Sequence, residues 1–200
     1  MPIIPLFPTI IHGIEVEEFE ESRQDLLDFV YDEQKKDPDG INLSNQGGGW
    51  HSHNEYHFHE NYLNDFIIKI LSKYFANGSI FVNKLEFRLT GLWMNINPPG
   101  SSNKAHMHPG SHLSGAFWIK LPEDSGGITF QNASSFNCFS EMMVYSNQFK
   151  EKNILFQNYG LCPGEGAMVL FPSSLYHYVE PNKSDEDRIS VSFNIEFKGG

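Results

Sequence analysis

Three histidines lie within seven positions of the chain, at His106, His108 and His112, directly ahead of an apolar segment. Imidazole nitrogen is a ligand that iron, zinc, copper and nickel all accept. On an extended segment, residues two apart point to the same face, so His106 and His108 could grip one ion together. Nine histidines in 200 residues also produce such a pair by chance, and that alternative stays open. The segment therefore predicts one half of a metal site.

A third metal ligand must come from a distant part of the fold. His177 is the best candidate, because it follows an apolar, strand-like segment at 166–172 that ends at a proline. Two ligands at the entrance of one strand and one ligand on another strand leave coordination positions open for substrate and oxygen. We therefore expect His106, His108 and His177 to be the metal ligands.

Arg188 and Ser190 lie downstream of His177 on a segment of alternating apolar and polar residues, so their side chains share one face. A guanidinium binds both oxygens of a carboxylate, and a neighbouring hydroxyl can add a hydrogen bond. The pair predicts a carboxylate receptor close to the metal. A structural salt bridge of Arg188 is the alternative interpretation.

A second group of histidines precedes these motifs. His51, His53, His57 and His59 lie within nine residues, and His53 and His57 are four apart, which would align them on a helix. Asn54 and Glu55 between them lie among residues of the solvent-exposed type, and no carboxylate or cysteine lies at a typical ligand interval. Surface or capping roles are therefore favoured over metal binding for this group.

Size and composition limit the class of protein. The 200 residues, of which 40% are hydrophobic, suffice for one domain with a sizeable core. We expect a single domain, 1–200, with a helical support region at 1–78 and a β core at 79–197. The formal net charge of −11 would repel a phosphate backbone, which argues against nucleic acid as a partner.

The sequence shows no targeting signal and no cysteine pattern of a disulfide framework, a zinc site or a redox site. No apolar run is long enough to span a bilayer and the N-terminus has no secretory pattern, so we expect a cytoplasmic protein without a membrane partner. Cys138 and Cys162 are too few for a disulfide framework and form no Cys-x-x-Cys pair. Both are expected to be buried as small hydrophobic residues.

The elements that must position these residues fall into two parts. Apolar residues recur at helical spacing between Glu17 and Lys36 and between Tyr62 and Phe75, which predicts two amphipathic helices. After Gly78 the pattern changes to short alternating strands. The strands are predicted at 80–89, 92–97, 113–121, 127–130, 153–157, 167–171 and 188–197. Many short strands behind two helices favour a mainly β protein with an antiparallel barrel or jelly-roll core.

The order of these motifs resembles that of the non-haem iron, 2-oxoglutarate-dependent dioxygenases. The resemblance is carried by the His106 and His108 pair, the turn Ser125-Gly-Gly-Ile-Thr-Phe, the Phe-Pro segment before His177, and Arg188-Ile-Ser190. More narrowly, segments 93–95, 103–115, 166–177 and 188–194 look like a small family of 2-oxoglutarate/Fe(II) oxygenases found in bacteria and marine phages. The resemblance covers about residues 45 to 197.

The resemblance implies a double-stranded β-helix, or cupin-like jelly roll, in which His106, His108 and His177 hold Fe(II). Arg188 would bind the distal carboxylate of 2-oxoglutarate with help from Ser190. Asn95 is a further candidate for binding this co-substrate, although a structural role in a turn would explain it equally well. The implied reaction uses O2 to convert 2-oxoglutarate to succinate and carbon dioxide, and hydroxylates a C–H bond of a substrate.

The chain departs from the larger superfamily at one ligand. His108 stands where most relatives have Asp or Glu, and a neutral ligand changes the charge at the metal. Three alternatives stay open: three histidines bind the metal, His112 replaces His106 or His108, or one of these two lies outside the coordination sphere. Asn103 and Trp118 are weak candidates for substrate contacts, with structural roles as the alternative.

The leading hypothesis is an Fe(II)/2-oxoglutarate hydroxylase. The alternatives are a cupin-like three-histidine dioxygenase that needs no 2-oxoglutarate, and a non-catalytic binding or virion-associated β-sandwich. The substrate cannot be read from the residues: a peptide, a free amino acid or a small metabolite would fit. The segment Asn132 to Lys152 is expected to form a lid over the site, because substrate contacts usually come from loops. A homodimer is possible.

Overall fold

The computed structural model of the protein describes residues 7–82, 85–133 and 144–198. Its α-helices are α1 (Phe19–Lys36), α2 (Tyr62–Phe75) and α3 (Asn147–Asn153), and a short 3₁₀ helix spans Tyr56–Phe58. The strands are β1 (His12–Glu15), β2 (Asn45–Gln46), β3 (Trp50–His51), β4 (Phe87–Asn97), β5 (Ser102–His106), β6 (Leu113–Lys120), β7 (Ile128–Gln131), β8 (Asn158–Leu161), β9 (Ala167–Pro172), β10 (His177–Val179) and β11 (Arg188–Phe197).

The strands form two sheets. The larger sheet has the order β1-β9-β6-β11-β4-β3, and the smaller one has the order β2-β5-β10-β7-β8. Every pair of neighbouring strands is antiparallel. The mainly β architecture with flanking helices that the sequence predicts is confirmed.

Strand β11 of the larger sheet has one apolar face, which packs towards the helices, and one polar face. Its apolar residues Ile189, Val191, Phe193 and Ile195 belong to a core shared with Leu26 of α1 and Leu71 of α2. Because successive side chains point to opposite faces, the polar residues of β11, from Arg188 onwards, face the smaller sheet. The alternating sequence of this strand thus separates a helix-covered core from a polar interior.

A second, smaller core fills the space between the two sheets. Ala116, Trp118, Val169 and Phe171 come from the larger sheet, and Ile128 and Phe130 come from β7 of the smaller sheet. This apolar cluster joins the two sheets face to face. Polar side chains of the larger sheet, among them the predicted site residues Arg188 and Ser190, lie on the face of β11 opposite to the helix-covered core.

The two predicted helices are confirmed. The amide N–H of Asn64 donates to the side-chain oxygen of Asn61 over 2.9 Å, which caps α2 at its first turn. Lys35 and Lys36 lie in the last turn of α1, where the helix dipole favours positive charge.

Three local predictions are wrong. A single strand, β4, replaces the predicted strands 80–89 and 92–97, and residues 78–80 form a turn after α2. The predicted strand 153–157 is replaced by the end of α3 and an irregular segment, because Ser146 caps a helix whose last turn closes at Ile154 in the left-handed region, with a φ of 54°. Cys162 is exposed rather than buried.

Two expectations lie partly or wholly outside the described residues: the predicted lid falls on residues 134–143 over part of its length, and Cys138 belongs to the same stretch. Within the described ranges, no helix combines the length and the apolar character needed to cross a bilayer.

Gly115 of β6 offers a test of the helix-side core. A Cβ at this position would overlap the ring of Phe193 and lie 3.0 Å from Cδ2 of Leu170. Because these neighbours are themselves packed in the core, we expect Gly115→Ala to lower the free energy of unfolding by about 1–3 kcal/mol. Urea unfolding measures the change.

Gly13→Ala on the edge strand β1 is the matched control, because nothing lies within 4 Å of its added Cβ. It should change the free energy of unfolding by less than about 0.5 kcal/mol. Equal effects of the two substitutions would contradict the packing described for Gly115.

Candidate metal centre and carboxylate site

Two neighbouring strands of the smaller sheet bring two histidines together. His106 ends β5 and His177 begins β10, and the two residues are direct partners in the antiparallel ladder. Their ring centroids lie 4.5 Å apart. His108 follows two residues after β5, where its backbone N–H donates to the carbonyl of Ser173 over 2.9 Å. One potential ligand nitrogen from each of the three imidazoles lies within 4.8 Å of the other two.

Backbone carbonyls fix the protons of two of these rings. Nδ1 of His106 lies 2.6 Å from the carbonyl oxygen of Lys104, and Nδ1 of His177 lies 2.9 Å from that of Leu175. A carbonyl only accepts hydrogen bonds, so each Nδ1 carries the proton. The lone pair of each ring is therefore on Nε2, which is the arrangement that metal-binding histidines commonly use.

The distance between the His108 and His177 nitrogens is close to that expected for two ligands of one metal ion. Nε2 of His108 lies 3.3 Å from Nε2 of His177. Two nitrogens that each lie about 2.1 Å from one metal ion, at a right angle, are about 3 Å apart. The observed distance therefore suits two ligands on the same ion.

The histidines are electrically neutral at neutral pH. Burial, with the nearby rings of His177, His106 and His51, lowers the pKa of His108 to about 3. Burial also lowers the pKa of His177 to about 4, although the hydrogen bond to Leu175 opposes the shift. Burial lowers the pKa of His106 as well. The neutral imidazole is the form that coordinates a metal, so no proton has to be displaced at neutral pH.

The surface or capping role that the sequence predicts for His51 is wrong, because this residue is buried beside the cluster. It is buried, its ring stacks on Trp93 with centroids 5.8 Å apart and an interplanar angle of 8°, and Trp93 packs on His108 at 5.4 Å. Its strand, β3, has only two residues, too few to show an alternating pattern. His53 and His59 are exposed, as expected for surface residues.

His112 does not join the three histidines. Its Nδ1 accepts a hydrogen bond of 2.9 Å from the backbone N–H of Phe197, and its ring stacks on the Phe197 ring at 5.9 Å. These contacts hold it against the end of β11, so the side chain supports the sheet.

Arg188 begins β11 and is only 1% exposed. Its Nη1 donates to three backbone carbonyls, those of Ser125, Gly126 at 3.3 Å and Glu180 at 2.9 Å. Its Nη2 has no hydrogen-bond partner within the part of the chain that the structure describes. The salt bridges of that part do not include Arg188 either, so the alternative of a structural salt bridge is not observed there.

The Arg188 guanidinium is a buried charge that has no carboxylate partner among the described residues. Burial lowers its pKa to about 10, which the nearby Cys162 thiol partly opposes, so the side chain is still protonated at neutral pH. An uncompensated buried charge costs several kcal/mol. A carboxylate that accepts from Nη2 would relieve this cost, and the site therefore fits an anionic ligand.

The other predicted site residues lie on the same polar face or beside it. Ser190 is opposite both Asn95 of β4 and Trp118 of β6. The Asn95 amide donates to Ser192 Oγ over 3.3 Å, and Trp118 is buried between the sheets. Asn103 is buried, and its side chain is engaged in hydrogen bonds with three others: Ser44, Asn45 and Asn97.

Comparison with a known family adds an independent finding. A sequence model described as "Putative 2OG-Fe(II) oxygenase" matches residues 91–194, which is just over half of the chain. The matched region contains the three clustered histidines and Arg188. No curated protein matches the sequence.

Solved structures show the fold. The prolyl-4-hydroxylase of Pseudomonas putida superposes with a TM-score of 0.61 at 13% identity, covering 96% of this chain and 94% of that one. The viral collagen prolyl hydroxylase of Paramecium Bursaria Chlorella virus-1, a complex with 2OG, gives 0.55 at 16% identity, covering 92% and 94%. The epimerase SnoN, in complex with Fe3+ and alpha ketoglutarate, gives 0.62 at 11% identity, covering 94% and 79%. At these identities the likeness concerns the fold, and it confirms the double-stranded β-helix.

The lowered pKa of His177 predicts how the stability of the metal-free protein depends on pH. Between its unfolded pKa of 6.5 and its folded pKa of about 4, the unfolded chain binds a proton that the folded chain does not. Stability is therefore full above pH 6.5 and falls as the pH is lowered towards 4, by at most about 1.4 kcal/mol per pH unit for this one residue.

Urea unfolding of the metal-free protein at about pH 7 and about pH 5 measures this loss. His177→Gln, which keeps a donor for the Leu175 carbonyl, should lose less stability between the two pH values than the unsubstituted protein. The same loss in both proteins would contradict the buried, neutral state of His177.

Proposed function

The chain belongs to the 2OG-Fe(II) oxygenase family, and from this premise we propose that it hydroxylates a C–H bond of a peptide, a free amino acid or a small metabolite. It is an enzyme that uses Fe(II), 2-oxoglutarate and O2. In this proposal His106, His108 and His177 hold the iron, and Arg188 with Ser190 binds the distal carboxylate of the co-substrate. Asn95, on the neighbouring strand, contributes to the same pocket.

The observation that carries the proposal is the combination of three clustered neutral imidazoles with one buried, unpaired guanidinium. The histidine nitrogens lie within 4.8 Å of one another, and Arg188 Nη2 lacks a partner among the described residues. The first group is a receptor for a metal ion, and the second is a receptor for a carboxylate. A 2-oxo acid with a second carboxylate is a ligand that needs both.

The residues have distinct tasks. Iron held by His106, His108 and His177 would supply the electrophilic centre and the redox chemistry for O2 and the 2-oxo acid. The carbonyls of Lys104 and Leu175 hold two imidazoles with Nε2 free, so that the ligands need little reorganisation when the ion binds. Arg188 sets the orientation of the co-substrate, because its own position is fixed by three carbonyls.

His108 changes the charge balance of the site. In this proposal no carboxylate of the protein binds the iron, so the ligands leave the charge of the ion uncompensated. The dianionic 2-oxoglutarate would then supply the negative charge. This feature also favours a second candidate function, a three-histidine dioxygenase that reacts without 2-oxoglutarate.

Turnover assays separate these two functions. We expect the Fe(II) protein, mixed anaerobically with 2-oxoglutarate, to develop a weak visible charge-transfer band, and to release succinate when air is admitted. Each result should require both Fe(II) and 2-oxoglutarate. Oxygen consumption that needs iron but not 2-oxoglutarate would support the second function, and no band together with no succinate would exclude the first.

Alanine substitutions test the proposed metal ligands. His106→Ala and His108→Ala should each weaken the binding of Co(II), used as a stable substitute for Fe(II), by more than about 100-fold. Loss of a group that only hydrogen-bonds a metal ligand costs about 10- to 100-fold in metal affinity, and loss of the ligand itself should cost more. Calorimetric titration of the metal-free proteins measures the affinities. An affinity of His108→Ala equal to that of the unsubstituted protein would show that His108 is not a ligand.

The matched control is His112→Ala in the same segment. His112 is bound to Phe197 and lies outside the cluster, so its removal should leave the Co(II) affinity unchanged. A loss equal to that of His106→Ala would mean that the segment as a whole, rather than its clustered rings, determines metal binding.

A further inference from the structure

Ser125 carries a buried hydroxyl that has no partner within the described residues. It lies in the turn between β6 and β7, where its backbone N–H donates to the carbonyl of Pro122 over 3.0 Å. The residue is 1% exposed, so its Oγ is also shielded from water. Buried hydroxyl groups are nearly always hydrogen-bonded, and an exception in a folded protein requires a specific explanation.

A second turn of the protein has a serine in the same position, and the hydroxyl of that serine is hydrogen-bonded. Ser101 follows Pro98 by three residues, as Ser125 follows Pro122, and its N–H likewise donates to the proline carbonyl over 3.0 Å. Ser101 is 0% exposed, and its Oγ–H donates a hydrogen bond to the Pro98 carbonyl over 2.7 Å. Ser125 forms the same backbone hydrogen bond, but its Oγ makes no hydrogen bond to the Pro122 carbonyl.

The unsatisfied hydroxyl belongs to a residue in direct contact with Arg188. The Ser125 carbonyl accepts from Arg188 Nη1, the nitrogen that three carbonyls occupy. Gly126 permits this approach: it has a φ of +79°, and a Cβ there would lie 3.1 Å from Nη1. The crowding on Nη1 leaves Nη2 as the nitrogen without a partner. Two residues in contact thus each carry a buried donor, one neutral and one charged, that has no partner in ranges 7–82, 85–133 and 144–198.

We propose that Ser125 is a further binding residue for the co-substrate, whose Oγ–H donates to the same distal carboxylate that Arg188 Nη2 binds. A carboxylate has two oxygens and about four acceptor sites, so it satisfies both donors at once. Ser190 is only partly buried, so water can satisfy its hydroxyl when the ligand is absent. The inference rests on the proposed function and adds to it a residue outside the Arg188-Ile-Ser190 motif.

The role of a ligand-binding hydroxyl differs from that of a structural one in a measurable way. Removal of a buried hydroxyl that has no partner leaves no other group unsatisfied, so Ser125→Ala should not lower the melting temperature of the ligand-free protein. Ser101→Ala is the matched control: it removes a hydrogen bond, so it should lower that melting temperature and leave 2-oxoglutarate binding unchanged.

Calorimetric titration of the Mn(II) protein tests the binding role. Ser125→Ala should weaken 2-oxoglutarate binding at least about tenfold, the effect expected for a hydrogen bond to a charged group. Binding of oxalate, which chelates the metal but has no distal carboxylate, should be the same in Ser125→Ala and the unsubstituted protein. An equal loss for oxalate would overturn the proposal, because the substitution would then act on the metal centre.

The remaining outcomes are also decisive. If the unsubstituted protein binds 2-oxoglutarate and Ser125→Ala binds it equally well, the role of Ser125 is wrong and the proposed function stands. If Ser125→Ala destabilises the ligand-free protein as much as Ser101→Ala does, the hydroxyl is structural and the proposal is wrong. If the unsubstituted Mn(II) protein binds no 2-oxoglutarate, the proposed function itself fails.

Discussion

The buried charge of Arg188 is the constraint on which the interior of this protein depends. Three backbone carbonyls hold one nitrogen of the guanidinium, yet none of them supplies the negative charge that a buried cation requires. A bound anion would offset part of the free energy cost of this arrangement. The polar face of β11, the turn at Ser125 and the glycine that follows it all position backbone and side-chain groups around this one side chain.

The histidine cluster depends on a different constraint, which is the register of β5 against β10. Because His106 and His177 are direct partners in that ladder, a shift by one residue would point one ring away from the other. Burial then keeps the rings neutral, and carbonyls hold two of them in the tautomer that suits a metal. The proposed metal site and the proposed carboxylate site are therefore stabilised by separate interactions.

Much of the fold could be predicted because the informative residues have regular spacing. The period of α2 and the alternation of β11 each follow from repeated burial of one face, and both were predicted. The strand expected at 153–157 was wrong because the capped helix α3 and its left-handed end carry no apolar period. The burial of His51 and the contact between Ser125 and Arg188 could not be predicted for a related reason: a two-residue strand and a short turn have no periodic pattern, and both features depend on distant residues.

The most direct test of this account is a crystal structure of the protein grown anaerobically with Mn(II) and 2-oxoglutarate. The account predicts that the metal ion is bound by Nε2 of His106, His108 and His177. It also predicts that the distal carboxylate of 2-oxoglutarate accepts hydrogen bonds from Arg188 Nη2. A metal ion bound elsewhere, or a 2-oxoglutarate whose distal carboxylate is held by a group other than Arg188, would contradict it.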